Sequence, residues 1–116
     1  MQVDQREILE VNFLLPDGKT KPHPVIVLSN NDINKFEDAF IGVMISSSAP
    51  DDTYSFWLKN DMLTKSSKIP CQVRCHLIPL IPENQVIGKH GHIKEQYFKE
   101  LLEKIYNSVF SVTDLS

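Results

Sequence analysis

Arg74 and His76 stand two residues apart in a stretch rich in β-formers. On an extended strand alternate side chains share a face, and such a pair sits roughly 7 Å apart. A guanidinium and an imidazole on one surface can grip a phosphate and move a proton. Gln72 shares their side, while Cys71, Val73, Cys75 and Leu77 take the other, as a core side should. A solvated strand face is the plainer reading of the same alternation. A second imidazole, His23, lies between Pro22 and Pro24, which hold it stiffly at a strand entrance. An ordinary exposed polar residue is its plain alternative. Ser46, Ser47 and Ser48 end another β-rich run, with Ser46 on the side of Met44 and opposite Val43 and Ile45. Serines there commonly make turns, and they can also offer hydroxyls to a phosphate. Lys19 and Lys21 follow the turn Pro16-Asp17-Gly18, where they can guide a polyanion or stay solvated.

Other chemistries fit poorly. Cys71, Cys75 and His76 lack the spacing of a structural zinc site, and there is no second cysteine pair. His90-Gly91-His92 reads as a flexible loop before it reads as a metal ligand pair. No phosphate-cradling glycine loop and no G-x-S-x-G elbow is present. No metal and no cofactor is therefore expected. Cys71 and Cys75, four residues apart on a strand, lie roughly 13 Å from each other and cannot bridge. That suits a reduced, cytoplasmic chain.

The elements that must position these groups are short. Residues 8–15 alternate as a first strand, and residues 25–29 form a second that is apolar on both faces. A helical turn is expected over residues 32–37. Further strands are expected over 39–48, 53–58 and 71–80, with a short one at Val86-Ile87. The aromatics Tyr54, Phe56 and Trp57 are expected to pack in a core, and Met44 and Met62 likewise. Residues 60–67 read as a polar loop. Ile93, Tyr97, Leu101, Ile105 and Val109 recur every four residues, which predicts an amphipathic helix over 94–107. Five to six short strands with one terminal helix suggest a mainly β fold, a small barrel covered by that helix.

Composition is consistent with one domain spanning residues 1–116, with a core of about residues 8–107. The hydrophobic fraction is 41% and the charged fraction 23%, ordinary for a globular domain that needs no staples. A formal charge of -3, from 12 basic and 15 acidic residues, argues against a protein that coats nucleic acid indiscriminately. It leaves room for a local basic groove. No apolar run is long enough to span a bilayer, and the polar first ten residues are unlike a signal peptide.

Taken in order, several segments resemble the PemK/MazF family of toxins. Leu9-Glu10-Val11-Asn12-Phe13, Asp17-Gly18-Lys19-Thr20-Lys21 and Pro24-Val25-Ile26-Val27-Leu28-Ser29 are similar to the family's opening strand, basic turn and "RPxxVLS" strand. Val43-Met44-Ile45-Ser46-Ser47 resembles its "VxPITS" strand end, and Gln72-Val73-Arg74-Cys75 its "V-R-C-D" or "Q-V-K" strand. Gly91-His92-Ile93 resembles the approach to its terminal helix. The resemblance implies an SH3-like barrel of up to seven short strands, usually a homodimer. It implies a metal-independent endoribonuclease of a type II toxin-antitoxin system that cuts single-stranded RNA at short sequences. It also implies a cognate antitoxin that lays an acidic, disordered segment across the RNA groove.

Carried over residue by residue, Arg74 keeps the family's arginine and Ser46 keeps a hydroxyl where threonine is common. His23 replaces an arginine before proline, and His76 replaces an aspartate of one branch. With both substitutions present, His23 and His76 can serve as base and acid if they meet across a groove, with Arg74 on the phosphate. Lys19, Lys21 and Ser47 are candidates for RNA contacts. The rival is a barrel that binds RNA or a protein without cleaving. A gyrase poison is a third option, disfavoured because residues 112–116 lack the tryptophan-containing ending of that relative. The nuclease reading is expected to require that Arg74, Ser46 and His23 share one solvent-reachable pocket; a guanidinium tucked into a dry interior, or three residues on separate patches, would count against it.

Overall fold

The computed structural model describes residues 2–115. Among them the chain forms β1 (Glu7–Leu14), β2 (Thr20–Val27), α1 (Asn31–Glu37), β3 (Ala39–Ser46), β4 (Ser55–Leu58), β5 (Cys71–Arg74), β6 (Leu80–Pro82), β7 (Val86–His92) and α2 (Glu95–Val109). The fold is mainly β with a C-terminal helix, as the strand spacing predicts. The pairings are antiparallel in the order β4-β5-β3-β2-β1-β7, and β6 joins the first half of β3. The β1–β2 hairpin turns on Gly18, whose φ of 85° a side chain would resist, while Asp17 Oδ1 accepts the Lys19 N–H at 3.0 Å.

Residues 71–80 do not form the single strand that their alternation suggests. Six steps of chain from Arg74 to Leu80 oppose only three along β3, from Met44 to Ile41. The surplus is absorbed by a turn in which the Leu77 N–H donates to the Arg74 carbonyl at 2.9 Å. Leu77 therefore ends up exposed instead of in the core. The break lets β3 serve two partners, β5 at its end and β6 at its start, and curls the sheet. At the other margin β7 runs on to His92, well past the two residues expected, and carries His90 on a strand.

Curling creates two apolar layers. Under α2, Ile26, Val43, Ile45, Val73 and Cys75 meet Phe98, Leu101 and Ile105, three helix residues that repeat every three to four positions. Phe56 and Met62 pack against this layer. The other layer joins Leu9, Val11, Val25, Val27, Phe40, Ile81 and Val86, with Met44 at its margin. Of the three aromatics expected in the core only Phe56 packs there; Tyr54, just before β4, and Trp57 are exposed.

The end strands β4 and β7 meet through a seam and not through a ladder. Leu63 bridges Ile93, the Lys94 N–H donates to the Met62 carbonyl at 2.8 Å, and the Thr64 N–H donates to the His92 carbonyl at 3.0 Å. Gly91 permits this approach: its φ is 77°, and a Cβ there would lie 2.6 Å from Thr64 Oγ1. The result is a small, incompletely closed barrel of the SH3-like kind, roofed by α2. No helix among the described residues is long and apolar enough to cross a membrane.

Candidate functional site

Proline sets the site. The β2–β3 ladder runs from Val27↔Gly42 to Val25↔Met44 and stops there, because the next residue on β2, Pro24, has no N–H to donate. The first half of β2 pairs only with β1 and splays away from the end of β3. A cavity of about 490 Å³ opens beside this gap. Its floor is apolar, from Ile8, Ile45, Leu58 and Leu63, and Lys21, Lys65 and His90 bring charge or imidazole to its walls.

His23 and Ser46 both line this cavity, as does Ser47. Extending the ladder by two residues would set His23 opposite Ser46 on the same side of the sheet. The His23 ring lies edge-on to Phe13, with centroids 6.0 Å apart. Its Nε2 is buried and makes no hydrogen bond. Burial pushes the imidazole below its ordinary pKa; the Ile45 backbone opposes that shift, and the nearby Lys21 charge adds to it. His23 is thus held neutral near pH 7. Ser46 Oγ accepts the N–H groups of Ser48 and Ala49, at 3.3 and 3.1 Å. With its lone pairs so engaged, its own hydrogen is left to donate.

Arg74 departs from expectation. It shares the sheet side of Ser46, since Met44 faces Arg74 and Ser46 faces Gln72 across β3 and β5. That side is not solvated at Arg74, which is 7% exposed and does not line the cavity. The loop of residues 47–54 covers it, and its guanidinium grips Asp52. The cause is the loop's acidic content: a buried cation needs a partner, and Asp52 supplies one. The structure therefore unites His23 and Ser46 but leaves Arg74 beneath the neighbouring loop, so the expected shared pocket of Arg74, Ser46 and His23 does not form. His76 is exposed in the turn after β5, its ring 4.5 Å from that of Tyr54. It lies outside the cavity, so the expected His23–His76 acid–base pair does not assemble within the chain. Lys21 lines the cavity; Lys19 sits at the hairpin tip, outside it.

Several participants carried little signal in the sequence. His90, read there as part of a flexible loop, lies on β7 with Nε2 3.1 Å from Glu10 Oε2 and reaches the cavity. Lys65 comes from a stretch that reads only as polar. Gln72 is fully buried, and its neighbour Asp52 is twenty-two residues from Arg74. Polar alternation marked Gln72; nothing local marked Asp52. Cys71 forms part of the cavity wall, and burial pushes its thiol up, away from the reactive thiolate. No group of three or more His, Cys, Asp or Glu side chains placed to hold a metal ion occurs among the described residues.

Residues 4–109 match the sequence profile of the PemK-like, MazF-like toxins of type II toxin-antitoxin systems. No curated protein matches the sequence. Among solved structures, a MazE–MazF complex from Deinococcus radiodurans superposes with a TM-score of 0.77 at 13% identity, over 97% of this chain and 100% of the other. An endoribonuclease in complex with its cognate antitoxin, from a mycobacterial species, gives 0.76 at 9% identity, over 97% and 99%. The Mycobacterium tuberculosis toxin MazF-mt6 gives 0.73 at 17% identity, over 93% and 100%.

Proposed function

The chain belongs to the PemK-like, MazF-like toxin family of type II toxin-antitoxin systems, and on that footing we propose that it cleaves single-stranded RNA without a metal, at the cavity where β2 parts from β3. One observation carries the reading: half-buried His23, whose Nε2 is covered and makes no hydrogen bond and whose pKa burial lowers, shares that cavity with the Ser46 hydroxyl. A buried ring nitrogen without a partner is costly in a structural role and useful in a chemical one.

The reaction assigned is attack by a ribose 2′-OH on the adjacent phosphorus. The His23 imidazole, turned so that a ring nitrogen meets the cavity, takes the 2′-OH proton, which a neutral imidazole can accept. The new P–O bond closes a 2′,3′-cyclic phosphate as the bond to the 5′-oxygen breaks. Ser46 donates its hydroxyl hydrogen to a non-bridging phosphate oxygen, where charge gathers. Lys21 and Lys65 hold the flanking phosphates. Protonation of the leaving 5′-oxygen falls to His90, which Glu10 orients, in place of the distant His76. The substrate is RNA of the cytoplasm. The chain acts as a homodimer and is restrained by an antitoxin whose acidic, disordered segment competes for the same cations.

The test is purified protein on mixed-sequence single-stranded RNA in a chelator, with the ends of the fragments analysed. Discrete cuts leaving cyclic phosphate and 5′-hydroxyl ends are expected, and none with His23→Ala. The inward-facing Arg74 favours a second reading, a barrel that binds RNA without cutting it. Retained RNA binding with no fragments in the same assay would establish that reading instead.

A further inference from the structure

The loop of residues 47–54 lies over the polar end of the sheet, and its fastenings form a chain. Arg74 and Asp52 are joined by two parallel bonds, Nη1–Oδ1 at 3.0 Å and Nη2–Oδ2 at 2.9 Å. Nη1 also lies 3.2 Å from the Pro50 carbonyl, 3.1 Å from Ser55 Oγ and 2.9 Å from Gln72 Oε1. Gln72 passes the restraint on, since its Nε2 donates to the carbonyls of Ala49 and Pro50 at 3.0 and 3.1 Å. Ala49 is in turn one of the two residues whose N–H groups engage Ser46 Oγ. Asp52 is steadied from behind by the Tyr54 N–H at 2.9 Å, while its own N–H donates to Ser55 Oγ at 3.0 Å.

We propose that Arg74 is a positioning residue: clamped by Asp52, it locks residues 47–54 over Gln72 and so fixes where the Ser46 hydroxyl points in the cavity. Asp52 takes the Nη1–Nη2 edge of the guanidinium with two bonds, so that edge cannot grip a phosphate at the same time. Its remaining short contacts are to the loop, the β4 hydroxyl and Gln72, all on the protein side. The hydroxyl of Ser46 is a free rotor in isolation. Here two backbone donors fix its lone pairs, and those donors stay put only while the loop does.

This inference rests on the nuclease reading for one of its two readouts. Cleavage of single-stranded RNA in a chelator and backbone amide hydrogen exchange are measured on the full chain. The variants are Asp52→Ala, Arg74→Ala, Arg74→Lys, Ser46→Ala and the Asp52→Ala/Ser46→Ala pair. Asp52→Ala and Arg74→Ala should each lower kcat by about tenfold or more while KM moves much less, the pattern of an interaction used only at the transition state. Asp52→Ala should add nothing once Ser46 is alanine, because both act through one hydroxyl. The Ser48 and Ala49 amides should exchange faster in Asp52→Ala. Arg74→Lys, which keeps the charge but loses the fork, should behave as Arg74→Ala. Normal kcat in Asp52→Ala beside a dead Arg74→Ala would overturn the proposal, as Arg74 would then meet RNA itself. Full activity in Arg74→Lys, or unchanged Ser48 and Ala49 exchange in Asp52→Ala, would do the same. Should Arg74→Ala not fold, Asp52→Ala carries the comparison. Should the wild-type chain cut no RNA, the nuclease reading fails, and exchange alone decides the clamp.

Discussion

Beneath α2, Val43, Ile45, Val73 and Cys75 meet Phe98, Leu101 and Ile105 in a layer whose side chains are hydrocarbon apart from the Cys75 thiol. On the reverse of the same two strands, Ser46, Gln72 and Arg74 face a loop that answers them bond by bond. Both sides hold buried residues, Val73 on one and Gln72 and Arg74 on the other. The first does so through volume, which many apolar side chains can supply. The second does so through direction, because each donor points at acceptors that are fixed in place. His23 stands where the directional network ends, with a ring nitrogen that neither regime satisfies. Chemistry is assigned to that margin because His23 Nε2 is, among the described residues, the one buried side-chain nitrogen or oxygen without a hydrogen bond.

The sharpest way to break this contrast is at the margin itself. His23→Ala should reduce RNA cleavage by about 10²–10⁴-fold, the usual worth of a general base. Measured single-turnover rates that stay within a few-fold would refute the assignment. In the apolar layer, Leu101→Ala should cost about 2–5 kcal/mol in urea unfolding, since Leu101 is fully buried. Leu101→Met should cost less than about 1.5 kcal/mol by the same measurement, because volume is nearly kept. The polar layer should not forgive a swap of similar size. Gln72→Leu leaves two loop carbonyls and one guanidinium contact unmet, and a loss of about 1–3 kcal/mol is expected in urea. A cost near zero would show the layer to be held by shape alone.

The smallest effect concerns acidity. Burial lowers the His23 pKa in the folded chain, so the unfolded chain binds a proton first as pH falls. Stability should therefore drop as pH goes below the ordinary histidine value of about 6.5 and level off below the folded value. His23→Phe should remove that part of the slope, as read from urea midpoints on either side of the interval.

Much of the frame was legible in the sequence because it depends on period. Residues 8–15 alternate and form β1 one residue early; the four-residue recurrence of Tyr97, Leu101, Ile105 and Val109 becomes α2, while Ile93 stays outside it in the bridge to Leu63. Residues 71–80 misled because their alternation continues through a turn that only the needs of β3 impose. Parity correctly put Gln72 and Arg74 on the side away from Val73, but parity says nothing of what covers a face. The cover is the loop with Asp52, and its pairing with Arg74 is a long-range fact. His23 and Ser46 were marked by proline and by a strand end, both local signals, and they meet at the same cavity. His90 was obscured by its two neighbouring glycine and histidine residues, which read as a loop; pairing with β1 draws that segment into β7.

The glycine at position 91 has a reach beyond its own turn. One crossing of backbone there anchors both the strand that leads into α2 and the segment that carries Lys65 towards the cavity. The roof of the hydrophobic interior and the wall of the reactive hollow thus hang from a common rivet. Inserting even a methyl group at that point would pry both loose together, so a substitution at position 91 alters durability and the shape of the cavity jointly.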